Sequence, residues 1–424
     1  MLSVRDAADI IFNLVQPLDP QQDTEVVDLF AANGRILATP VTSPLDFPHW
    51  DNSAMDGYAV RYEDVHNAST EQPVNLEIVE EIPAGYQPKL TLQPGQAARI
   101  FTGAVIPQGA DTVVMQEMTH REDHRVLILT TPQLGEFVRR KASYYQAGTQ
   151  LLPAGIKLTA AEIAVLAASQ CPQIRVYRRP RVAIFSTGDE LVTVNQPLQP
   201  GQIVDSNQYA LAALVQQNGA EAILLGIVKD NPEALQQTIK QAITNADIVI
   251  SSGGVSVGDY DYVDKILDGL GAKIHIRAVA MRPGKPLTVA TFSNFYSPVP
   301  SPQSPIYFGL PGNPAAVLVT FWRFVQPVIQ KLGGIAEGGK PEFMKVRSRD
   351  ELRSDGKRET YIWGRLHLID GVYEFHKAGG SHSSGNLINL AQTNALAVLP
   401  VDTTLIPPGE KVDILLSQVM SHTT

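Results

Sequence analysis

Apolar and polar positions change their spacing several times along the chain, and each change marks a different kind of element. Apolar residues at helical spacing predict amphipathic helices over 4–16 and 24–33, the second stopped by Gly34. From 46 to 145 short apolar segments are broken by Gly and Pro, as in VNLEIVEEI, AARIFTGAVI and DTVVMQEM. Such segments predict a β-rich module. Helix returns over 159–170, where Thr159 and Glu162 make a T-x-x-E capping box. This order predicts that 1–45 and 146–178 form one discontinuous helical linker domain, with 46–145 inserted into it.

Over 179–332, strand-like VAIFS, EAILLGIV, DIVISS, LTVATF and IYFGL are interspersed with helical NQYALAALVQQNG, NPEALQQTIKQAI and VDKILDGLG. That spacing predicts a doubly wound parallel sheet with helices on both faces. FYSPVPSPQSPIY (295–307) reads as an exposed, extended loop. In 333–424 strands dominate, and Asp370-Gly371 between alternating segments predicts a tight hairpin. The fold class is therefore α/β multidomain, closed by a small C-terminal β domain of barrel-like kind.

Charge and cysteine usage narrow the function. Net charge is -9, and no basic run exceeds Arg139-Arg140-Lys141, so phosphate-backbone affinity for nucleic acid is not expected. Cys171 stands alone, which excludes an internal disulfide and a thiolate metal cluster; its apolar helical surroundings predict a core position. Asp6 and Asp9 stand where a signal peptide needs positive charge, and no stretch reaches membrane-helix length. A soluble cytoplasmic protein is expected.

In an open α/β sheet, ligands bind beyond the carboxyl ends of the strands. Those ends carry Ser186-Thr187-Gly188-Asp189-Glu190, then Lys229-Asp230-Asn231, then Ser252-Gly253-Gly254-Val255-Ser256-Val257-Gly258-Asp259-Tyr260-Asp261, and Pro311-Gly312-Asn313. Glycine turns opening onto helices suit phosphate, because backbone N–H groups can approach it closely. The same turns also serve merely to reverse a chain, and Asn231-Pro232 also serves simply to start a helix. Carboxylates gathered beside an anion need a hard cation among them, so acids next to glycine loops point to a Mg²⁺–phosphoanhydride site. Arg282 and Lys285 of MRPGKP add two cations suited to an oxyanion. Neither a G-x-G-x-x-G fingerprint nor a P-loop is present, which argues against a nicotinamide-dependent oxidoreductase and ordinary nucleotide hydrolysis. Upstream, DNSAMDGYAVR (51–61) packs Asp51 and Asp56 into an irregular segment, with a turn of positive φ expected at Asp56-Gly57.

DNSAMDGYAV, RIFTGA (99–104), FSTGDEL (185–191), SSGGVSVGDYD (251–261), MRPGKP (281–286) and LPGNPAA (310–316) together resemble the molybdopterin molybdenumtransferase family. That family includes bacterial MoeA-type proteins and the C-terminal domain of gephyrin, and the match runs in order across nearly the whole chain. The resemblance implies a four-domain subunit that forms a homodimer, with a molybdopterin-binding α/β domain. It implies insertion of molybdate into adenylylated molybdopterin, with Mg²⁺-dependent cleavage of the anhydride and release of AMP. The active cleft is then shared between subunits, and transient contact with the molybdopterin adenylyltransferase is a further expectation. Neither nucleic acid nor a membrane is an expected partner.

By motif, Asp56, Thr102, Glu190, Asp230 and Asp261 fall on the family's active-site positions, with Glu190, Asp230 and Asp261 as the expected metal carboxylates. Arg282 and Lys285 match oxyanion-binding cations, and Ser381 and Ser384 fall near a serine-bearing loop. Two departures stand out. Where many bacterial members read Arg-Arg-x-Gly-Glu-Asp, this chain has Arg139-Arg140-Lys141-Ala142-Ser143-Tyr144, and Ala278 replaces a common basic residue. The stretch 294–305 reads as an insertion. These departures leave two alternatives, a weakened pterin-binding scaffold and a tungstate-inserting homologue.

Overall fold

Uninterrupted apolar runs become the strands of a sheet covered on both faces. The computed structural model describes residues 1–254, 260–292, 304–336 and 340–417, with the backbone alone at 260–262. Strands β1 (Arg181–Thr187), β2 (Glu221–Val228), β3 (Ile248–Ser252), β4 (Ala272–Ala278), β5 (Pro286–Phe292) and β6 (Ile306–Leu310) form one sheet in the order β2-β1-β3-β6-β5-β4. Alternate residues serve opposite cores. Val182 and Ile184 pack with Leu211, Leu214 and Val317, whereas Ala183 and Phe185 pack with Leu235, Ile239 and Ile243. Burial of both faces explains why β1 and β3 read as continuous apolar runs rather than alternating ones.

The sheet departs from the expected all-parallel arrangement. β5 runs antiparallel to both β4 and β6. The connection 279–285 is too short to carry a crossover helix, so the chain must return directly. That return places Met281-Arg282 beside Glu359-Thr360 in a short parallel pairing, which joins the MRPGKP loop to the C-terminal region.

There, β7 (Phe343–Ser348), β8 (Glu359–Ile369), β9 (Val372–Lys377), β10 (Ala395–Leu399) and β11 (Lys411–Leu416) close into a five-stranded barrel in the order β8-β9-β7-β11-β10 and back to β8. Ile362, Phe375, Leu399 and Ile414 fill it. The hairpin turn falls at Asp370-Gly371 as expected, with both residues at positive φ.

These elements belong to one unit, built from Met1–Thr39, Ala154–Ala160 and Gln173–Thr424. Its N-terminal helix spans Val4–Leu14, capped by Ser3, whose Oγ accepts from the Asp6 amide at 3.1 Å. The second expected helix is absent. Thr24–Asp28 is a strand paired antiparallel with Gln173–Tyr177, followed by a 3₁₀ turn at Leu29–Ala31. Three β-branched residues in TEVVD and a distant partner strand outweigh the local helical spacing.

The second unit comprises Pro40–Pro153 and Ala161–Pro172. A six-stranded sheet runs through it in the order Thr112–Met115, Gly57–Val60, Gln96–Ile100, Val74–Ile82, Arg125–Ile128 and Thr119–Glu122. Cys171 is half-buried in the turn after helix Ala160–Ala168 rather than in a core, and burial still pushes its thiol up. Among the described residues no helix is long and apolar enough to cross a membrane.

Candidate active site

Because β1, β2, β3 and β6 run parallel, their carboxyl ends open on the same side, and the turns that follow them line one cleft of about 1600 Å³. β1 delivers Thr187, Gly188 and Glu190, β2 delivers Asp230, β3 delivers Ser252, Gly253 and Gly254, and β6 delivers Pro311, Gly312 and Asn313. Arg282 and Lys285 reach the same cleft from the MRPGKP loop, and Ser381 and Ser384 reach it from the barrel. Ser186 lies underneath, fully buried, with its hydroxyl 3.1 Å from that of Ser252. Asp189 stands beside the wall, its carboxylate accepting from the Asp230 amide at 3.3 Å. Ser256 and Gly258 lie outside the described residues. Of Asp261, only the backbone is described, in the first turn of helix Tyr260–Gly269.

The turn after β2 shows how a helix start and a site residue coexist. Asn231 caps helix Pro232–Asn245 by accepting from the Ala234 amide at 3.1 Å, with Pro232 in the first turn. Capping thus falls to Asn231, and Asp230 one residue earlier stays on the cleft wall.

Sequence reasoning missed several cleft residues. Asn207 opens helix Asn207–Gln217 and donates to the carbonyl of Gly312 at 2.8 Å and to the Ser252 hydroxyl at 3.4 Å, tying two strand-end turns together. Its signal was present in D-S-N ahead of an apolar helical run. Arg353, Arg358 and Lys377 come from the barrel and had no local signal. Asp355 draws Arg282 (3.3 Å) and Arg358 (3.5 Å) together, while Lys285 and Lys377 make no ion pair among the described residues.

Three buried polar atoms on the cleft's lining residues have no hydrogen-bond partner among the described residues: Thr187 Oγ1, Trp363 Nε1 and His382 Nδ1. Buried groups of this kind are costly unless satisfied, so they fit a polar ligand. The His382 ring packs on Trp363 at 4.7 Å, its Nε2 lies 2.8 Å from the Ala378 carbonyl, and burial lowers its pKa. The cleft can therefore offer phosphate-sized backbone turns, the strand-end carboxylates Glu190 and Asp230, and at least four cations to one polyanionic ligand.

In the second unit, Asp56 and Thr102 meet directly. The Asp56 carboxylate accepts from the Thr102 hydroxyl and amide, both at 2.7 Å. These bonds hold its pKa below the ordinary 3.8, so the anion persists as pH falls until that depressed value is crossed. Replacing Thr102 with Val removes the hydroxyl donor and is expected to raise the Asp56 pKa toward 3.8, read by NMR titration of the carboxyl carbon. An unmoved titration would assign the shift to the backbone alone. Gly57 is required for a reason other than the expected positive φ. It begins a strand, and a Cβ there would sit 2.0 Å from the Val114 carbonyl oxygen. The segment with the altered residues is anchored locally, Arg140 pairing with Asp51 at 2.8 Å and the Lys141 amide donating to the same carboxylate at 2.7 Å.

Comparison with known proteins places this cleft in a family. A family model described as the MoeA N-terminal region (domain I and II) matches residues 2–169. One described as a probable molybdopterin binding domain matches 183–331, and one described as the MoeA C-terminal region (domain IV) matches 345–417. A molybdopterin molybdenumtransferase from Nostoc sp. is 79% identical over 415 residues, covering 98% of this chain and 94% of its own. The chain belongs to the molybdopterin molybdenumtransferase family.

A family member from Haemophilus influenzae is 34% identical over 95% of this chain and 96% of its own. The crystal structure of a molybdopterin biosynthesis MoeA protein from Pyrococcus horikoshii superposes with a TM-score of 0.81 at 28% identity, covering 99% of this chain and all of that one. Membership places the chain in molybdenum cofactor biosynthesis, and the scaffold and tungstate alternatives are not favoured. The altered segment at 139–144 lies within the region matched by the MoeA N-terminal model.

Proposed function

We propose that this chain inserts molybdate into adenylylated molybdopterin and releases AMP. What carries the reading is the convergence, on one cleft, of glycine turns, the strand-end carboxylates Glu190 and Asp230, and cations from both the α/β domain and the barrel. The Gly253-Gly254 turn and the Thr187 hydroxyl would bind phosphate oxygens, and the start of helix Asn207–Gln217 adds favourable polarity for an anion. Arg282 and Lys285 would hold the oxyanion, supported by Arg358 across Asp355. Holding two anions in contact would bring the reacting groups together.

Mg²⁺ is the metal expected for this chemistry. Among the described residues no group of three acidic, His or Cys side chains gathers as a ready-made metal site. Mg²⁺ needs no such group, since one or two carboxylates suffice when phosphate oxygens and water complete the shell. Glu190 and Asp230 fit that role, with Asp261 as a third candidate. The ion would neutralise charge on the scissile anhydride. A cytoplasmic location fits this reading, as does transient contact with the adenylyltransferase that makes the substrate.

The test is AMP release from adenylylated molybdopterin with Mg²⁺ present and molybdate titrated in. Release that depends on molybdate supports the transferase, and tight pterin binding without AMP would overturn it. Arg282→Ala is expected to raise half-saturating molybdate about tenfold or more, the usual scale for a lost charge-assisted hydrogen bond. An unmoved half-saturation would make Arg282 a structural residue.

We also propose that the working form is a homodimer in which Asp56 and Thr102 of a second copy complete the cleft. Mixing Asp56→Asn and Asp230→Asn chains then restores about one quarter of wild-type activity, since half the dimers regain one intact cleft of two. Recovery of no activity in dimers shown to exchange would count against sharing.

A further inference from the structure

A second cavity lies in the same unit and shares no lining residue with the cleft. It is formed by residues 34–36, the 177–180 segment, the end of helix Asn207–Gln217 and helix Gln326–Leu332, and it encloses about 430 Å³. That volume suits a small metabolite. The chain has 43 acids against 34 Lys and Arg, yet among the described residues no acid lines this cavity, while Arg35, Lys157, Arg178 and Arg179 do.

Two of these cations are already neutralised. Arg35 pairs with Glu25 and donates to the Tyr177 carbonyl at 2.8 Å. Arg178 bridges Asp23 and Asp247, each at 2.8 Å. Lys157 and Arg179 are exposed and make no ion pair among the described residues, so the uncompensated positive charge is theirs. Ser417 lines the same cavity at 3% exposure, and its Oγ has no hydrogen-bond partner among the described residues. A buried hydroxyl in that state fits a ligand oxygen better than it fits a closed core. Ile36, Ile329 and Ile335 supply apolar wall.

We propose that this cavity is a second anion site, taking a small metabolite with a carboxylate or phosphate group. Lys157 and Arg179 neutralise the oxyanion, Ser417 Oγ donates to it, and the isoleucines cover the ligand's carbon body. The site does not depend on the chemistry assigned to the cleft.

The experiment uses the full chain carrying Arg282→Ala and Lys285→Ala, so that oxyanion binding in the cleft is suppressed. Isothermal titration with inorganic phosphate and, separately, citrate is expected to show saturable one-to-one binding of at least one probe. The probe that binds identifies the anionic group preferred. Adding Lys157→Ala and Arg179→Ala should weaken that binding about tenfold or more, as expected when charge-assisted contacts are lost. Ser417→Ala should weaken it by less. Absence of saturable binding by either probe, or binding that Lys157→Ala and Arg179→Ala leave unchanged, overturns the proposal. Both cations are exposed, so the unliganded unfolding midpoint should not move. If it does, Lys157→Gln alone carries the test by the same criterion.

Discussion

Gly253→Ala is expected to abolish AMP release and to destabilise the α/β domain by about 2–4 kcal/mol, the range of strained backbone substitutions. Gly253 has φ of +89°, where an L side chain is disfavoured by about 1–2 kcal/mol. Space is the larger obstacle. An added Cβ would lie 2.4 Å from the Thr187 carbonyl oxygen, a backbone atom of the neighbouring strand end. β1 and β3 would have to part at the point where Thr187 and the Gly253-Gly254 turn meet, which is where phosphate is proposed to bind. Gly201→Ala separates the two effects. Gly201 has φ of +85° and nothing within 4 Å of its added Cβ, so it should show only the backbone cost and keep its activity. Denaturant unfolding and AMP release on both variants check this. Equal losses at the two positions would remove the close approach as the cause.

The contrast between these glycines shows how much was legible in the sequence. That glycine turns follow strands over 179–332 could be read from the apolar runs before them, and the cleft at their carboxyl ends followed from topology. Which glycine is held by conformation alone, and which by a neighbour, could not be read. Gly57 makes the same point, since its requirement comes from Val114, a residue on a neighbouring strand.

Non-local pairing also explains the larger misses. TEVVD became a strand because Gln173–Tyr177 lies beside it, and β5 reversed because the return after β4 is short. The barrel's contribution was hidden for the same reason. Arg358, Lys377, Trp363 and His382 gain access to the cleft because β8 takes Met281-Arg282 as a neighbour, a contact between segments with no shared pattern. The motifs named the strand ends and the Arg282 loop on one side of the site, and from the barrel side only Ser381 and Ser384. The opposite, cationic side depends on a closed barrel whose charged residues read locally as an ordinary solvated face.

Asp230→Asn is expected to slow AMP release by about a hundredfold or more while leaving the fold intact, in line with removal of a single preorganised charge from a reacting centre. The replacement keeps the shape of the side chain, and helix Pro232–Asn245 retains its cap because Asn231 supplies it. What is lost is one of the two described carboxylates proposed to hold Mg²⁺. Excess Mg²⁺ should therefore recover part of the rate, and Glu190→Gln should behave alike. Asp189→Asn provides the contrast, since an amide oxygen can still accept from the Asp230 backbone as the carboxylate does at 3.3 Å. Its effect should be within about tenfold, the scale of one weakened neutral hydrogen bond. Losses of the same size at Asp189 and Asp230, both insensitive to Mg²⁺, would mean that the loop's geometry matters and the Asp230 charge does not. A Mg²⁺-sensitive loss confined to Asp230 and Glu190 would instead locate the metal between the carboxyl ends of β1 and β2, beside the edge strand of the sheet.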